Sequence, residues 1–186
     1  MNIGIVCYPT FGGSGVVATE LAKILAKKGH NLHILSYARP ARLEDFDTRI
    51  LYHEVSINSY PLFEYPPYAL ALASQMVNLI EFEQLDLMHV HYALPHATSA
   101  YLAKQIMGER GIHVPIVTTL HGTDITLVGK DPSYRHVVEF SIDKSDGVTA
   151  VSEYLKKETY QNFDIKQDIE VIPNFIDLDR FQATDQ

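Results

Sequence analysis

Short apolar runs alternate with amphipathic segments along the whole chain, and few architectures accept that pattern. Runs of strand length, each followed by helical spacing, call for parallel strands covered by crossover helices. The strands are expected at residues 2–8, 31–37, 50–57, 87–91, 114–120, 147–151 and 169–172, and the helices at 16–28, 69–83, 95–107, 133–144 and 153–162. Gly29 stands where a helix stop belongs, and in the third strand Tyr52, Glu54 and Ser56 alternate with apolar neighbours. The pattern predicts a Rossmann-like, doubly wound parallel α/β sheet of about seven strands.

The 186 residues suit one domain, since domains run to ~100–200 residues. With 20% charged and 46% hydrophobic residues and a net charge of -8, the chain lacks the surface that nucleic acid or an anionic membrane would need. Any anion has to be captured locally. The single cysteine, Cys7, excludes a disulfide framework or a cysteine metal cluster. Met1 leads straight into strand residues without a basic-then-apolar leader, and no apolar run approaches the ~20 residues of a membrane helix, so a cytoplasmic protein is expected. Pro61, Pro66 and Pro67 among Tyr60, Phe63, Tyr65 and Tyr68 exclude a regular helix over 60–68; the segment is a loop on the domain surface or a lid. The polar stretch 182–186 reads as a chain end or the start of a linker.

The first strand runs through a spacer into Gly12, Gly13, Ser14 and Gly15 at the mouth of a helix. Glycines let a ligand approach the backbone, and the helix start offers free N–H groups and a positive dipole end to a phosphate or carboxylate. Gly13-x-Gly15-x-x-Ala18 satisfies the dinucleotide fingerprint G-x-G-x-x-G/A. A dinucleotide site, however, puts its first glycine directly after the strand and a carboxylate at the end of strand two. Here Tyr8 to Phe11 intervene, and strand two ends in Ser36-Tyr37-Ala38-Arg39. Arg39 or Arg42 facing a 2′-phosphate keeps an NADP-dependent oxidoreductase as an alternative.

Open parallel sheets bind ligands beyond the carboxyl ends of their strands. There the chain places His89, His91, Tyr92 and His96 after strand four, Thr118 to Asp124 after strand five, and Pro173 to Asp177 after strand seven. His121 is the leading candidate, followed by Gly122 for a sharp turn and by Thr123 and Asp124, either able to cap a helix or hold the imidazole. Alternatively His121 satisfies loop carbonyls and Asp124 is an N-cap only. His89 and His91 share one strand face, and H-x-H spacing suits a metal, with His121 and Asp124 as further ligands of a hydrolase; the other reading makes them hydrogen-bonded core residues. A non-catalytic anion-binding module is the fourth class.

Four motifs together carry a resemblance. The glycine loop, His121-Gly-Thr-Asp124, Ala150-Val-Ser-Glu153 and Val171-Ile-Pro-Asn174, in that order on successive strands, resemble the N-terminal domain of the family-four retaining glycosyltransferases of GT-B fold, over essentially the whole chain. Cys7-Tyr-Pro, His89-Val-His-Tyr92 with Pro95-His96, Thr118 to Asp124 and Asn174-Phe-Ile-Asp177 narrow the resemblance to the branch that joins N-acetylglucosamine to L-malate in bacillithiol biosynthesis. Asn174-Phe175, where many family members have Asn-Gly, favours that branch.

The resemblance implies a UDP-sugar donor and a small hydroxy acid acceptor, transfer with retention, and neither cofactor nor metal. It divides the chain into an acceptor-side domain over 1–180 and the start of a linker over 181–186, leading to a C-terminal donor domain of the same enzyme without which this part is inactive. It makes Gly13, Ser14 and Gly15 donors to the pyrophosphate or to malate, and Tyr92 and Thr119 hydrogen-bond partners of the acceptor. His121 faces the donor sugar and the reacting centre; Asp124 tethers its loop; Asn174 closes the cleft floor. The resemblance implies that the leaving phosphate takes the acceptor proton, so His121 is not automatically the general base; its catalytic role is to orient the sugar and stabilise developing charge. Oligomerisation is left open.

Overall fold

The apolar runs become seven strands: β1 (Asn2–Val6), β2 (Asn31–Ser36), β3 (Ile50–Glu54), β4 (Leu87–His91), β5 (Ile116–Leu120), β6 (Gly147–Ala150) and β7 (Ile169–Val171). In the computed structural model, which describes residues 1–43, 47–57 and 60–178, they pair in parallel in the order β3-β2-β1-β4-β5-β6-β7. The expected doubly wound sheet is therefore present. Its order reverses between β1 and β4, where successive connections leave in opposite directions and open a crevice.

The helices are α1 (Ser14–Lys27), α2 (Tyr68–Glu83), α3 (Thr98–Gly108), α4 (Thr123–Thr126), α5 (Pro132–Asp143) and α6 (Glu153–Asn162). Strand alternation sends Ile3, Ile5, Leu32 and Ile34 to one face, where the small residues Ala18, Ala22 and Ala26 let α1 sit close. Val6, Leu35, Met88 and Val90 point the other way, onto Leu72, Met76 and Ile80 of α2 and Ala100, Ala103 and Met107 of α3. The same layer continues through Leu120, Val148 and Ala150 against Val138 and Ile142 of α5 and Leu155 of α6.

Most differences from the sequence expectation lie where the strands meet the crevice. β1 ends at Val6 rather than at residue 8: Cys7 keeps one ladder bond to the Leu35 carbonyl (3.3 Å), and the chain then turns away. β2, β3, β6 and β7 also stop one to three residues early, and β5 opens only at Ile116 because Pro115 has no N–H to give. α1 starts two residues early, at Ser14, because Gly13 breaks the chain with φ 60° and ψ -133°, a conformation that a side chain forbids. Conversely α3 starts three residues late; Ala93–Ala97 form a wide turn in which Leu94 is extended. The single-turn α4 begins where the sequence lets Thr123 or Asp124 cap a helix, but Gly122 holds the cap position and the pattern predicts no helix over 123–126.

In the 60–68 segment Tyr60 packs on Phe63 with ring centroids 5.5 Å apart, while Leu62 and Tyr65 are 81% and 79% exposed. The expected linker at 181–186 lies outside the described residues. Among the described residues no helix is long and apolar enough to cross a membrane.

Leu72 is fully buried between α2 and the sheet. Leu72→Ala should lower unfolding free energy by ~2–5 kcal/mol in urea titration, as cavity-forming substitutions do; a loss well under ~1 kcal/mol would mean that α2 does not anchor this layer.

Candidate active site

The glycine loop owes its shape to two positions. Gly13 holds the positive φ already described, and Gly15 lies so close to the spacer that an added Cβ would fall 2.5 Å from the Tyr8 carbonyl oxygen and 2.7 Å from Thr10 Oγ1. The Thr10 hydroxyl donates to the Gly12 carbonyl at 2.7 Å, and Thr19, one turn into α1, donates to the Gly15 carbonyl at 2.7 Å. The spacer is thus folded back over the first turn of α1, leaving the N–H groups of that turn at the crevice. Ser14 is buried, and among the described residues its hydroxyl has no hydrogen bond.

Across the crevice, β4 and β5 deliver the histidines. His89 and His91 do share one face, as their spacing required, but their rings stack, with centroids 4.7 Å apart at 20°. His121 continues the stack, 5.0 Å from His91. Each ring is tied along its edge. His89 Nε2 meets Thr119 Oγ1 at 2.7 Å, Thr119 Oγ1 meets Thr149 Oγ1 at 2.8 Å, and His91 Nδ1 meets His121 Nε2 at 2.7 Å. His96, fully buried, donates its Nδ1–H to the carbonyl of His91. A ladder of stacked, mutually bonded rings is not a convergent ligand set, and no group of three metal-binding side chains occurs among the described residues.

Burial governs the charge of this ladder. It pushes His89, His96 and His121 down to about 4, with His89 lowering His121 further. It drives His91 well below the ordinary value, helped by its three histidine neighbours. All four are neutral imidazoles near pH 7.

Asp124 has 2% exposure, and its carboxylate is consumed by backbone. Oδ1 accepts from the N–H groups of Gly122 (3.0 Å) and His121 (3.3 Å), and Oδ2 accepts from Ala93 (3.0 Å). It holds the exits of β4 and β5 together, so it positions the loop and stays away from the cleft surface. Desolvation raises its pKa although these three donors oppose the rise. Tyr92, between the two exits, has φ 86°, a strained backbone for a residue with a side chain. Its ring lies 5.3 Å from His121 and 5.4 Å from Tyr8.

Gly13 to Gly15 follow β1, while Tyr92 and His121 follow its neighbours β4 and β5 in the sheet; the Tyr8 ring of the spacer packs on Tyr92, which packs on His121. Thr119 and Asn174 line a neighbouring cavity of about 310 Å³ between α1 and the residues after β7, with His89, His91 and Thr149 on its wall. The two candidate dinucleotide arginines are engaged elsewhere: Arg39 Nε donates to the Leu43 carbonyl at 2.9 Å and Arg42 lies 3.6 Å from Glu20. Sequence reasoning missed Tyr8 and Thr149. Period-two alternation along β6 flags Thr149, whereas the ring position of Tyr8 depends on the fold of the spacer, which carries no local signal.

Residues 11–180 match the family model described as Glycosyltransferase Family 4. The chain is 53% identical over 177 residues to the N-acetyl-alpha-D-glucosaminyl L-malate synthase of Bacillus anthracis, covering 95% of this chain and 46% of that protein. It is 29% identical over 158 residues to an uncharacterized glycosyltransferase of Methanocaldococcus jannaschii, with 83% and 41% covered. The chain spans about half the length of the curated relatives it matches. Among solved structures, a glycosyltransferase of Rickettsia africae aligns with a TM-score of 0.69 and 27% identity over 97% of this chain and 45% of its own. Anabaena HepE, solved in complex with UDP-glucose, aligns at 0.70 with 18% identity over 99% and 46%, a likeness of fold.

The neutral ladder makes stability depend on pH. The four rings bind protons more weakly in the fold than at their ordinary 6.5, so unfolding takes protons up below that value and acid destabilises the fold. Within the window from about 6.5 to about 4, each of His89, His96 and His121 adds a slope of ~1.4 kcal/mol per pH unit; His91 acts in the same direction, and Asp124, whose shift is upward, opposes it. Urea titrations at descending pH should show a steep loss of stability, made shallower by His96→Asn; a flat profile would contradict the neutral ladder.

Proposed function

Because this chain belongs to Glycosyltransferase Family 4, we propose that it is the acceptor-side half, residues 1–180, of an enzyme that transfers N-acetylglucosamine from UDP-N-acetylglucosamine to the hydroxyl of L-malate with retention of configuration. The observation that carries this reading is the 53% identity with the Bacillus anthracis synthase, which extends over 95% of the chain. A second domain of the same polypeptide supplies the donor site, and the work is done in the cytoplasm.

In the proposed reaction the bond between the sugar C1 and the leaving phosphate oxygen breaks, and a bond forms from C1 to the malate hydroxyl oxygen on the same face. The hydroxyl proton passes to the departing phosphate, giving UDP and the glycoside. No base is required of this chain, which agrees with the low proton affinity that burial gives its histidines. The residues described here bind and orient. The amides of Gly13 to Gly15 and the hydroxyl of Ser14 face carboxylate or pyrophosphate oxygens. The Tyr92 hydroxyl meets the acceptor, Thr119 supports the site from the neighbouring cavity, and His121 meets the sugar at the reacting centre, where a fixed hydrogen bond lowers the barrier more than a solvent one does. Asn174 forms the cleft floor. With Arg39 and Arg42 held elsewhere, backbone and hydroxyl donors take the place of cations.

The full-length protein, given UDP-N-acetylglucosamine and a panel of hydroxy acids, should form an α-linked glycoside of L-malate. His121→Ala should lower kcat by roughly 10²–10³, the range for losing one preorganised donor, with a smaller change in KM for malate. Product on another acceptor alone would overturn the substrate assignment, and unchanged kcat would remove His121 from the reacting centre.

A further inference from the structure

The bond between His91 and His121 has a direction, and the surroundings determine it. His91 is 1% exposed, its Nδ1 lies 2.7 Å from His121 Nε2, and its own Nε2 is buried without any partner among the described residues. Both rings are neutral, so one proton sits between the two facing nitrogens and each ring has one N–H. If His121 Nε2 carried that proton, His91 would have its N–H on Nε2, a donor stranded in the interior. If His91 Nδ1 carries it, only a lone pair is stranded. Orphaned buried N–H groups are the rarer and costlier outcome.

The second arrangement leaves His121 with its proton on Nδ1. That nitrogen has no hydrogen-bond partner among the described residues, and it belongs to the half-buried ring beside Tyr92. The backbone of His121 is held separately by Asp124 Oδ1. Main chain and ring are thus positioned by different groups, and the ring stack with His91 at 5.0 Å and 24° leaves little freedom to turn.

We propose that His91 is a positioning residue whose Nδ1–H, donated to His121 Nε2, locks His121 as the Nδ1–H tautomer and so makes it a hydrogen-bond donor to an oxygen of the bound sugar nucleotide. The identity of that ligand rests on the reading under Proposed function; the lock does not. The H-x-H pair is then neither a metal site nor inert packing: His89 anchors Thr119 and Thr149, and His91 sets the chemistry of the neighbouring strand's histidine.

The test is the imidazole nitrogen spectrum of the full-length protein with ¹⁵N-labelled histidine near pH 7, His121 being identified by the signals missing from His121→Gln. His121 should be the Nδ1–H tautomer; an Nε2–H tautomer overturns the proposal without any variant. His91→Phe, which keeps the ring but removes the donor, should release His121 into a mixture of tautomers. It should also lower kcat about tenfold, the lower end for losing an orienting partner, with KM for the acceptor unchanged. His91→Asn, whose amide donates from nearly the same place, should restore the single tautomer and most of the turnover. If His91→Phe retains the pure Nδ1–H tautomer and full turnover, the lock is refuted. Absence of any transferase activity in the unmutated protein would refute the functional reading alone, because the tautomer is read without turnover.

Discussion

One buried carboxylate joins the two strand exits on which the site depends. Asp124 accepts from the backbone of Ala93 beyond β4 and from His121 and Gly122 beyond β5. Neither exit has regular structure to satisfy those N–H groups, and burying them unpaired would cost ~1–3 kcal/mol each. The carboxylate removes that cost and fixes the separation of the two loops. The His91–His121 bond, the stack and the placing of Tyr92 all require that separation.

The chemistry this framework offers is donor-rich and uncharged. Desolvation keeps four histidines neutral, and the nearby arginines are bonded to Leu43 and Glu20. In a chain of net charge -8, the proposed anionic ligand would be met by the N–H groups and dipole of α1 and by fixed hydroxyl and imidazole donors. Such donors stay fixed while charge moves, which suits a step in which negative charge develops on the oxygen of a departing phosphate as its bond to the sugar breaks. It also suits a half-site, since a partner domain can supply the cationic groups for a diphosphate.

The sheet is legible because each strand is a short apolar run and each crossover has helical spacing; strands β1, β2 and β4 to β7 begin and end within two residues of expectation, and β3 begins where expected but ends three residues early. The crevice was less so. Gly13 and Gly15 announced a tight loop, yet the reason for Gly15, an overlap with Tyr8 and Thr10, exists only once the spacer folds back. H-x-H established that His89 and His91 share a face, but a stack and a metal site have the same spacing. Their hydrogen bonds go to Thr119 of β5 and to His121 just beyond it, each thirty residues onward. Asp124 read as a cap, a histidine partner or, through the resemblance, a tether of its own loop; the structure adds Ala93 to what it holds, a long-range contact without local trace. The delayed start of α3 and the single turn of α4 were hidden for the same reason: backbone at both places follows tertiary hydrogen bonds rather than propensity.

The central claim is that the crevice between the glycine loop and His121 holds the acceptor acid beside the donor sugar. A crystal structure of the full-length protein with UDP and L-malate tests it directly. The account predicts malate between the Gly13–Gly15 amides, the Tyr92 hydroxyl and the His121 ring, with His121 Nδ1 toward a ligand oxygen. Malate bound elsewhere, with that crevice closed by protein side chains, would contradict it.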